Sequence, residues 1–276
     1  MSASTTLAPA LSNSSAPPEA FSLGGATFRY DPFPVACAQR VFLPDAYERL
    51  VGSWPSTALF KSMPELGKKF SLSEVNNAGS YHDFIASSPV WRAFYIWIKS
   101  DCFVRSTLDI LVAAGIDLGL AEESVSTTNF FSPRLETLRS KWLGAAQKRI
   151  GHRGVLRSRF EFSMLPADGG HILPHTDHQR KLITIVLSMV RPGEWSPAWG
   201  GGTAMERPKD LTKNFNFVNR QLAFEDMETL ETYPFEPNQA VLFVKTFNSH
   251  HSVHPMTAKD SDVMRRTITI NIERTT

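Results

Sequence analysis

The sequence predicts an α+β fold, with a helical N-terminal part packed beside an all-β C-terminal part. Two observations carry this. Between residues 88 and 151, apolar residues recur at helical spacing inside segments that open on Ser-Pro and end on Gly. After Gly154 the pattern changes to short runs of β-branched and aromatic residues, separated by Gly- and Pro-bearing turns. Many such strands at short intervals favour a sandwich, barrel or jelly roll.

Residues 1–26 are rich in Ser, Ala, Thr and Pro and read as a disordered tail. Two short extended pieces then flank the Pro-rich turn at 32–34, and "LPDAYERLVGSWP" reads as a short helix closed by Gly52 and Pro55. The segment from Ser88 to Gly115 is the best helix, with Ser88 as N-cap, Pro89 at the tolerated first position and an apolar stripe through Val90, Phe94, Trp97, Val104, Leu108 and Leu111. A second Ser-Pro helix runs from Ser132 to Gly151. The strands follow: "VLRSRFEFSMLP", "LITIVLSMV", "GGTAME", "AVLFVKTF" and "RRTITINIE", with only a turn foreseen near 225–231. The organisation is thus a tail over 1–26, a mainly helical region over 27–154 and a β core over 155–276, with a long connection at 204–238 that reads as an insertion.

Bulk properties narrow the class. The 276 residues are 42% hydrophobic and 20% charged, ordinary globular material. A formal net charge of +2 gives no reason to expect a nucleic-acid partner. Cys37 and Cys102 form neither a disulfide framework nor a thiolate metal site, the N-terminus lacks the basic start of a signal peptide, and no apolar run could span a bilayer. A cytoplasmic protein is expected. The stretch from Arg134 to Arg159 is basic, with Glu136 its one acid; a solvated helix face is the simpler reading and a collar for an anionic substrate the sharper one.

The chemistry concentrates in the β half. "HTDH" stands directly ahead of the aliphatic run Leu182–Val190. In an extended segment His175 and Asp177 share one face while Thr176 points away, which makes half of a facial metal triad. "FNSHHSVHP", at the end of another strand, can supply the missing His. Two His and one carboxylate leave three octahedral positions open, which suits non-haem Fe(II) better than tetrahedral zinc. Only one of His250 and His251 can face the site, because neighbours on a strand point opposite ways. His178 and His254 are assigned to the periphery and His171 to a loop. On the last strand Arg265, Thr267, Thr269 and Asn271 share one face and Arg266, Ile268, Ile270 and Ile272 the other. With the isoleucines in the hydrophobic layer, Arg265 and Thr267 face the lumen, where a buried cation needs an anion such as a dicarboxylate.

The order His-Thr-Asp, "WGGGTAM", "FNSHHSVHP" and "RRTITINIE" resembles the Fe(II)- and 2-oxoglutarate-dependent dioxygenases, in their prolyl-4-hydroxylase-like branch. The branch's distal motif N-S-x-H-x-V matches Asn248, Ser249, His251 and Val253, which selects His251. The resemblance spans roughly 155–273. It implies a double-stranded β-helix (jelly roll), iron held by His175, Asp177 and His251, and 2-oxoglutarate held by Arg265 and Thr267, with Arg266 the alternative. It implies O2 as co-reactant and hydroxylation of a C–H bond on a small-molecule, saccharide or peptidyl substrate, an anionic one included. Asp177 stands where halogenating relatives carry Ala or Gly, which points to hydroxylation or desaturation. The tyrosine that often supports 2-oxoglutarate is missing, and Ser163 or Arg159 could take its place. The alternatives are a cupin-like metal enzyme without 2-oxoglutarate and an inactive jelly-roll binding protein.

Overall fold

A computed structural model describes residues 21–131 and 154–275. In chain order the elements are β1 (Thr27–Arg29), β2 (Val35–Gln39), α1 (Pro44–Gly52), β3 (Lys61–Met63), β4 (Lys69–Ser73), α2 (Ala78–Ser87), α3 (Pro89–Ile98), α4 (Asp101–Ala113) and β5 (Ser124–Val125). The β region follows with β6 (Val155–Pro166), β7 (Ile172–His175), β8 (Lys181–Ser188), β9 (Thr203–Pro208), β10 (Met227–Tyr233), β11 (Gln239–Val244), β12 (His251–Val253) and β13 (Met264–Thr275).

The strands form two sheets that face each other as a double-stranded β-helix. The larger, nine-stranded sheet runs β1-β2-β11-β8-β13-β6-β4-β3, with β5 added beside β6, and the smaller runs β10-β9-β12-β7. All pairings are antiparallel except β5 with β6. Strand parity divides β13 as its sequence demands. Ile268, Ile270 and Ile272 are fully buried in one hydrophobic layer with Phe160, Phe162, Ile183, Ile185 and Leu242, against Trp91, Phe94, Ile98 and Leu111 of the helices. Thr267, Thr269 and Asn271 face the opposite way, into the space between the sheets. The helices therefore back the large sheet and the small sheet covers its other face.

Several elements depart from the sequence reading. The tail ends earlier than residue 26: Phe21 packs edge-on against Phe42 and Trp97 at 5.1 and 4.8 Å, and Leu23 is buried. An aromatic and a leucine at the end of a polar stretch are enough to dock it. The long helix from Ser88 breaks into α3 and α4, because Ser100 is itself a cap; its hydroxyl accepts from Phe103 N and donates to the Trp97 carbonyl. Ser88 caps α3 as foreseen, its hydroxyl oxygen accepting from Trp91 N. The connection at 204–238 is only partly an insertion, since β9 and β10 pair along their length within the small sheet. The turn foreseen near 225–231 is a short 3-10 turn followed by that strand. The helix expected from Ser132 to Gly151 and most of the basic stretch lie outside the described residues. Arg157 and Arg159 are described, and both pair with the buried Glu273 on β13.

Glu273 supplies a pH test. Burial raises its pKa, but hydrogen bonds and charge from Arg159 and Arg157 outweigh that and hold it below the ordinary glutamate value. A depressed folded pKa means stability present above the unfolded value and lost as pH falls through the folded one. Melting temperature is therefore expected to drop as pH falls below about 4.5. Glu273→Gln should cost about 1–3 kcal/mol at pH 7 and melt with a shallower dependence on acid. An equal acid slope in both proteins would assign the loss to other carboxylates.

Candidate active site

Chain register delivers the distal histidine. On β12, His251 stands opposite His175 of β7 on one side and Met205 of β9 on the other. The turn ahead of it is built by the residues of its own motif. Ser249 Oγ donates to the Thr246 carbonyl and accepts from Thr246 N, while Asn248 Nδ2 donates to the Pro32 carbonyl at 2.9 Å. Strand β7 stops at His175, and Asp177 takes a left-handed conformation at φ 71°, which Asp tolerates better than most residues. The pair is thus not carried by an extended segment, as strand alternation suggested, yet the two side chains still meet. Thr176 points away, its hydroxyl donating to the Asn216 carbonyl at 2.8 Å.

Ligand atoms of His175, Asp177 and His251 all lie within 4.8 Å of one another. His175 Nε2 is 3.6 Å from Asp177 Oδ1, and His251 Nε2 is 3.8 Å from Asp177 Oδ2. Each imidazole turns its other nitrogen to a backbone carbonyl. His175 Nδ1 reaches Leu173 O and His251 Nδ1 reaches Ser249 O, both at 2.9 Å. With Nδ1–H donating, both Nε2 lone pairs face Asp177, the tautomer that metal binding requires. Asp177 Oδ2 accepts from Thr184 Oγ1 at 3.0 Å, and Lys181 Nζ donates to Oδ1 at 2.6 Å. Burial raises the Asp177 pKa, but the Lys181 charge and the two adjoining imidazoles together hold it well below the usual carboxylate range. Burial, helped by the charge of His175, pushes His251 down to about 3. Near neutral pH the group offers the Asp177 carboxylate and the neutral His251 imidazole, ready for a cation.

Four other histidines of the β region stand apart from the triad. His250 is buried but faces away from the triad, its Nε2 against Asn214 O at 3.3 Å. His178 is exposed, His254 is exposed with its Nε2 2.9 Å from Glu206 Oε1, and His171 sits in the turn before β7.

The triad lines a cavity of about 150 Å³ between the sheets, whose walls also include Ser163, Thr203, Arg265, Thr267 and Thr269. Arg265 is 5% exposed. Its Nε donates to the Gly201 carbonyl at 2.6 Å and its guanidinium lies 4.7 Å above the Phe235 ring. Burial alone lowers its pKa to about 10, and no carboxylate among the described residues pairs with it. A desolvated, unmatched guanidinium in a cavity fits an anionic ligand. Arg266 points to the other face and pairs with Glu194 at 2.5 Å, which leaves Arg265 as the lumen arginine. The glycine run before β9 belongs to this site too. Gly201 has φ 83°, and a Cβ there would stand 2.8 Å from Trp195 Cζ2 and 3.4 Å from Arg265 Cδ. Gly201→Ala is expected to cost about 1–3 kcal/mol in stability and to displace Arg265; denaturant unfolding checks the first, and an unchanged midpoint would refute it.

The model of the 2OG-Fe(II) oxygenase superfamily matches residues 160–273, the span that carries the triad and Arg265. This segment belongs to that superfamily. The superfamily uses Fe(II), 2-oxoglutarate and O2, and among the described residues the His-Asp-His cluster could hold the iron. No curated protein matches the chain. Among solved structures it is similar to a Pseudomonas putida prolyl-4-hydroxylase, at 14% identity over 87% of this chain and 92% of that one, TM-score 0.45. It is also similar to prolyl 4-hydroxylases from Phytophthora capsici, at 14% identity and TM-score 0.47, where 87% of this chain spans 58% of the other. A 2OG-Fe(II) oxygenase-family oxidoreductase from Burkholderia pseudomallei aligns over 53% of this chain and 59% of that one at 15% identity, TM-score 0.27.

Sequence reasoning missed Lys181 and Phe235. Lys181 is four residues past Asp177, and the β-irregularity between Ile272 and Glu273 on β13 disturbs the register opposite it. Simple alternation therefore carries no signal for it. Phe235 lies in the connection after β10 and meets Arg265 only through the tertiary fold. Among the described residues no helix is long and apolar enough to cross a membrane.

Proposed function

We propose that this protein is an Fe(II)- and 2-oxoglutarate-dependent oxygenase that hydroxylates an unactivated C–H bond, releasing succinate and CO2. The observation that carries the reading is one cavity lined both by the convergent triad and by a buried arginine without a carboxylate partner among the described residues. His175, Asp177 and His251 hold the metal; Arg265 and Thr267 hold the far carboxylate of 2-oxoglutarate. Ser163, opposite Thr267 on β6 and lining the same cavity, takes the supporting place that a tyrosine often fills in this family.

Bound together, iron, 2-oxoglutarate and O2 place one oxygen atom in succinate and the other in the substrate C–H bond as CO2 leaves. The chain's residues prepare the site for that chemistry. The carbonyls of Leu173 and Ser249 fix the two imidazole tautomers. Thr184 orients the Asp177 carboxylate, and Gly201 and Phe235 hold the Arg265 fork in place. Burial at both ends of the cavity keeps water from competing for the charges. Asp177 itself favours hydroxylation or desaturation over halogenation, since its carboxylate fills the position a halide would need. The substrate class is a small molecule, a saccharide or a peptidyl residue. The free thiols of Cys37 and Cys102 support a reducing, cytoplasmic setting.

The test is anaerobic titration of the Fe(II)-loaded protein with 2-oxoglutarate, following the weak visible charge-transfer band. A band in the wild type is the expected result. Bound iron with no band would sink the cosubstrate and favour a cupin-like metal enzyme. No bound iron would leave a binding protein on a jelly-roll frame.

A further inference from the structure

We propose that Lys181 is the anchor for a carboxylate on the substrate, set free for that role when Asp177 gives its charge to the metal. The inference rests on the metal and cosubstrate reading above and deepens it by naming an anionic substrate class.

Lys181 Nζ stands 2.6 Å from Asp177 Oδ1, the same oxygen that faces His175 Nε2 at 3.6 Å. An ammonium and a dication at the triad therefore draw on one oxygen, and at such separations in a partly buried site they repel strongly. Metal binding weakens the Lys181–Asp177 pair from both sides. The Lys181 side chain is 19% exposed and lines the cavity, so it has room to turn within it.

Charge matching says what it would turn towards. The other cations near the triad keep acidic partners when a metal binds: Lys69 is 2.5 Å from Glu161, and Arg159 is 2.6 Å from Glu273, which it shares with Arg157. In the loaded site a divalent metal and a dianionic cosubstrate cancel, and Asp177 and Arg265 cancel. Lys181 is then the cavity-lining cation, among the described residues, whose acidic partner is taken up by the metal. A half-buried ammonium takes an anion in preference to nothing, and its three donors suit a point-like oxygen group. A single released ammonium matches a single negative charge, hence a carboxylate rather than a phosphate monoester, which carries close to two charges. The substrate would then present its carboxylate beside the metal, near the C–H bond that reacts.

The experiment uses the full chain, stripped with chelator and reloaded, as wild type, Lys181→Met and Lys181→Arg. Calorimetric titration with Mn(II) alone comes first. Removing the competing cation should tighten Mn(II) binding by ~10-fold or more, while Lys181→Arg stays near wild type. Weaker Mn(II) binding in Lys181→Met would mean that Lys181 only holds Asp177 in place, which overturns the proposal. The second measurement follows relaxation of the acetate methyl protons by protein-bound Mn(II) in the presence of 2-oxoglutarate. Enhancement in wild type and Lys181→Arg that disappears in Lys181→Met is the expected pattern. Enhancement that persists in Lys181→Met would place acetate on the metal itself and overturn the anchor. Failure of the wild type to bind Mn(II) at all would instead remove the metal-centred reading, a result distinguishable from either.

Discussion

Asp177→Ala is expected to lower Mn(II) affinity by more than about 100-fold, beyond what loss of an outer hydrogen-bond partner costs. The carboxylate faces both Nε2 atoms, at 3.6 and 3.8 Å, and is the only acid in the cluster. Without it, two imidazoles remain to hold a hard dication beside the Lys181 ammonium. Asp177→Asn tests charge against shape: it keeps the volume and can still accept from Thr184, but it removes the anion, so it should bind Mn(II) little better than the alanine variant. His251→Ala should behave like Asp177→Ala. His250→Gln should not, because His250 turns to the Asn214 carbonyl on the other side of the strand. Calorimetric Mn(II) titration of the four variants decides the point. Mn(II) binding lost in His250→Gln and kept in His251→Ala would reverse the assignment of the distal ligand.

Arg265→Ala is expected to weaken 2-oxoglutarate binding by about 100-fold or more, the usual cost of truncating one partner of a buried charge pair. The same substitution should leave the unliganded fold as stable as wild type or more stable. Burial, with no carboxylate partner among the described residues, already lowers the Arg265 pKa to about 10, so the cation is carried at a cost that the cosubstrate relieves. Loss of ligand affinity without loss of stability marks a residue kept for binding. Arg265→Lys should recover part of the affinity, retaining the charge but not the two-pronged geometry. Arg266→Ala gives the opposite signature: it breaks the pair with Glu194 on the outer face and leaves 2-oxoglutarate binding intact. Ligand titration and thermal melting of these variants settle both halves. A destabilised Arg265→Ala protein with normal 2-oxoglutarate affinity would make Arg265 a structural cation.

The two predictions share an origin in the alternation of β13, which is legible in the amino-acid sequence alone. Isoleucines at 268, 270 and 272 had to be buried in one layer, and that parity alone sent Arg265 and Thr267 into the lumen. His175 and Asp177 are legible as a pair by their spacing, although the chain leaves the strand at His175 and turns left-handed at Asp177 to unite them. Their juxtaposition survives the wrong local geometry because a two-residue separation is short enough for either route.

What local pattern determined by itself was therefore the face of Arg265 and Thr267 on β13, and the division into helical and β parts. Periodicity is a property of neighbours along the chain, so it could be read directly. The tertiary structure decided everything that depends on partners distant in sequence. Ser100 outweighed a continuous apolar stripe and split one helix into two, because its side chain satisfies both broken ends. Residues 204–208 and 227–233 became paired strands of the small sheet only because each supplied the other's ladder. His251 became the third ligand because antiparallel register sets β12 against β7, with His251 directly opposite His175. Lys181 came to rest on Asp177, and Phe235 under Arg265, through register and packing that spacing along the chain does not encode. Charges and rings act through space, and only the folded chain says which of them are near.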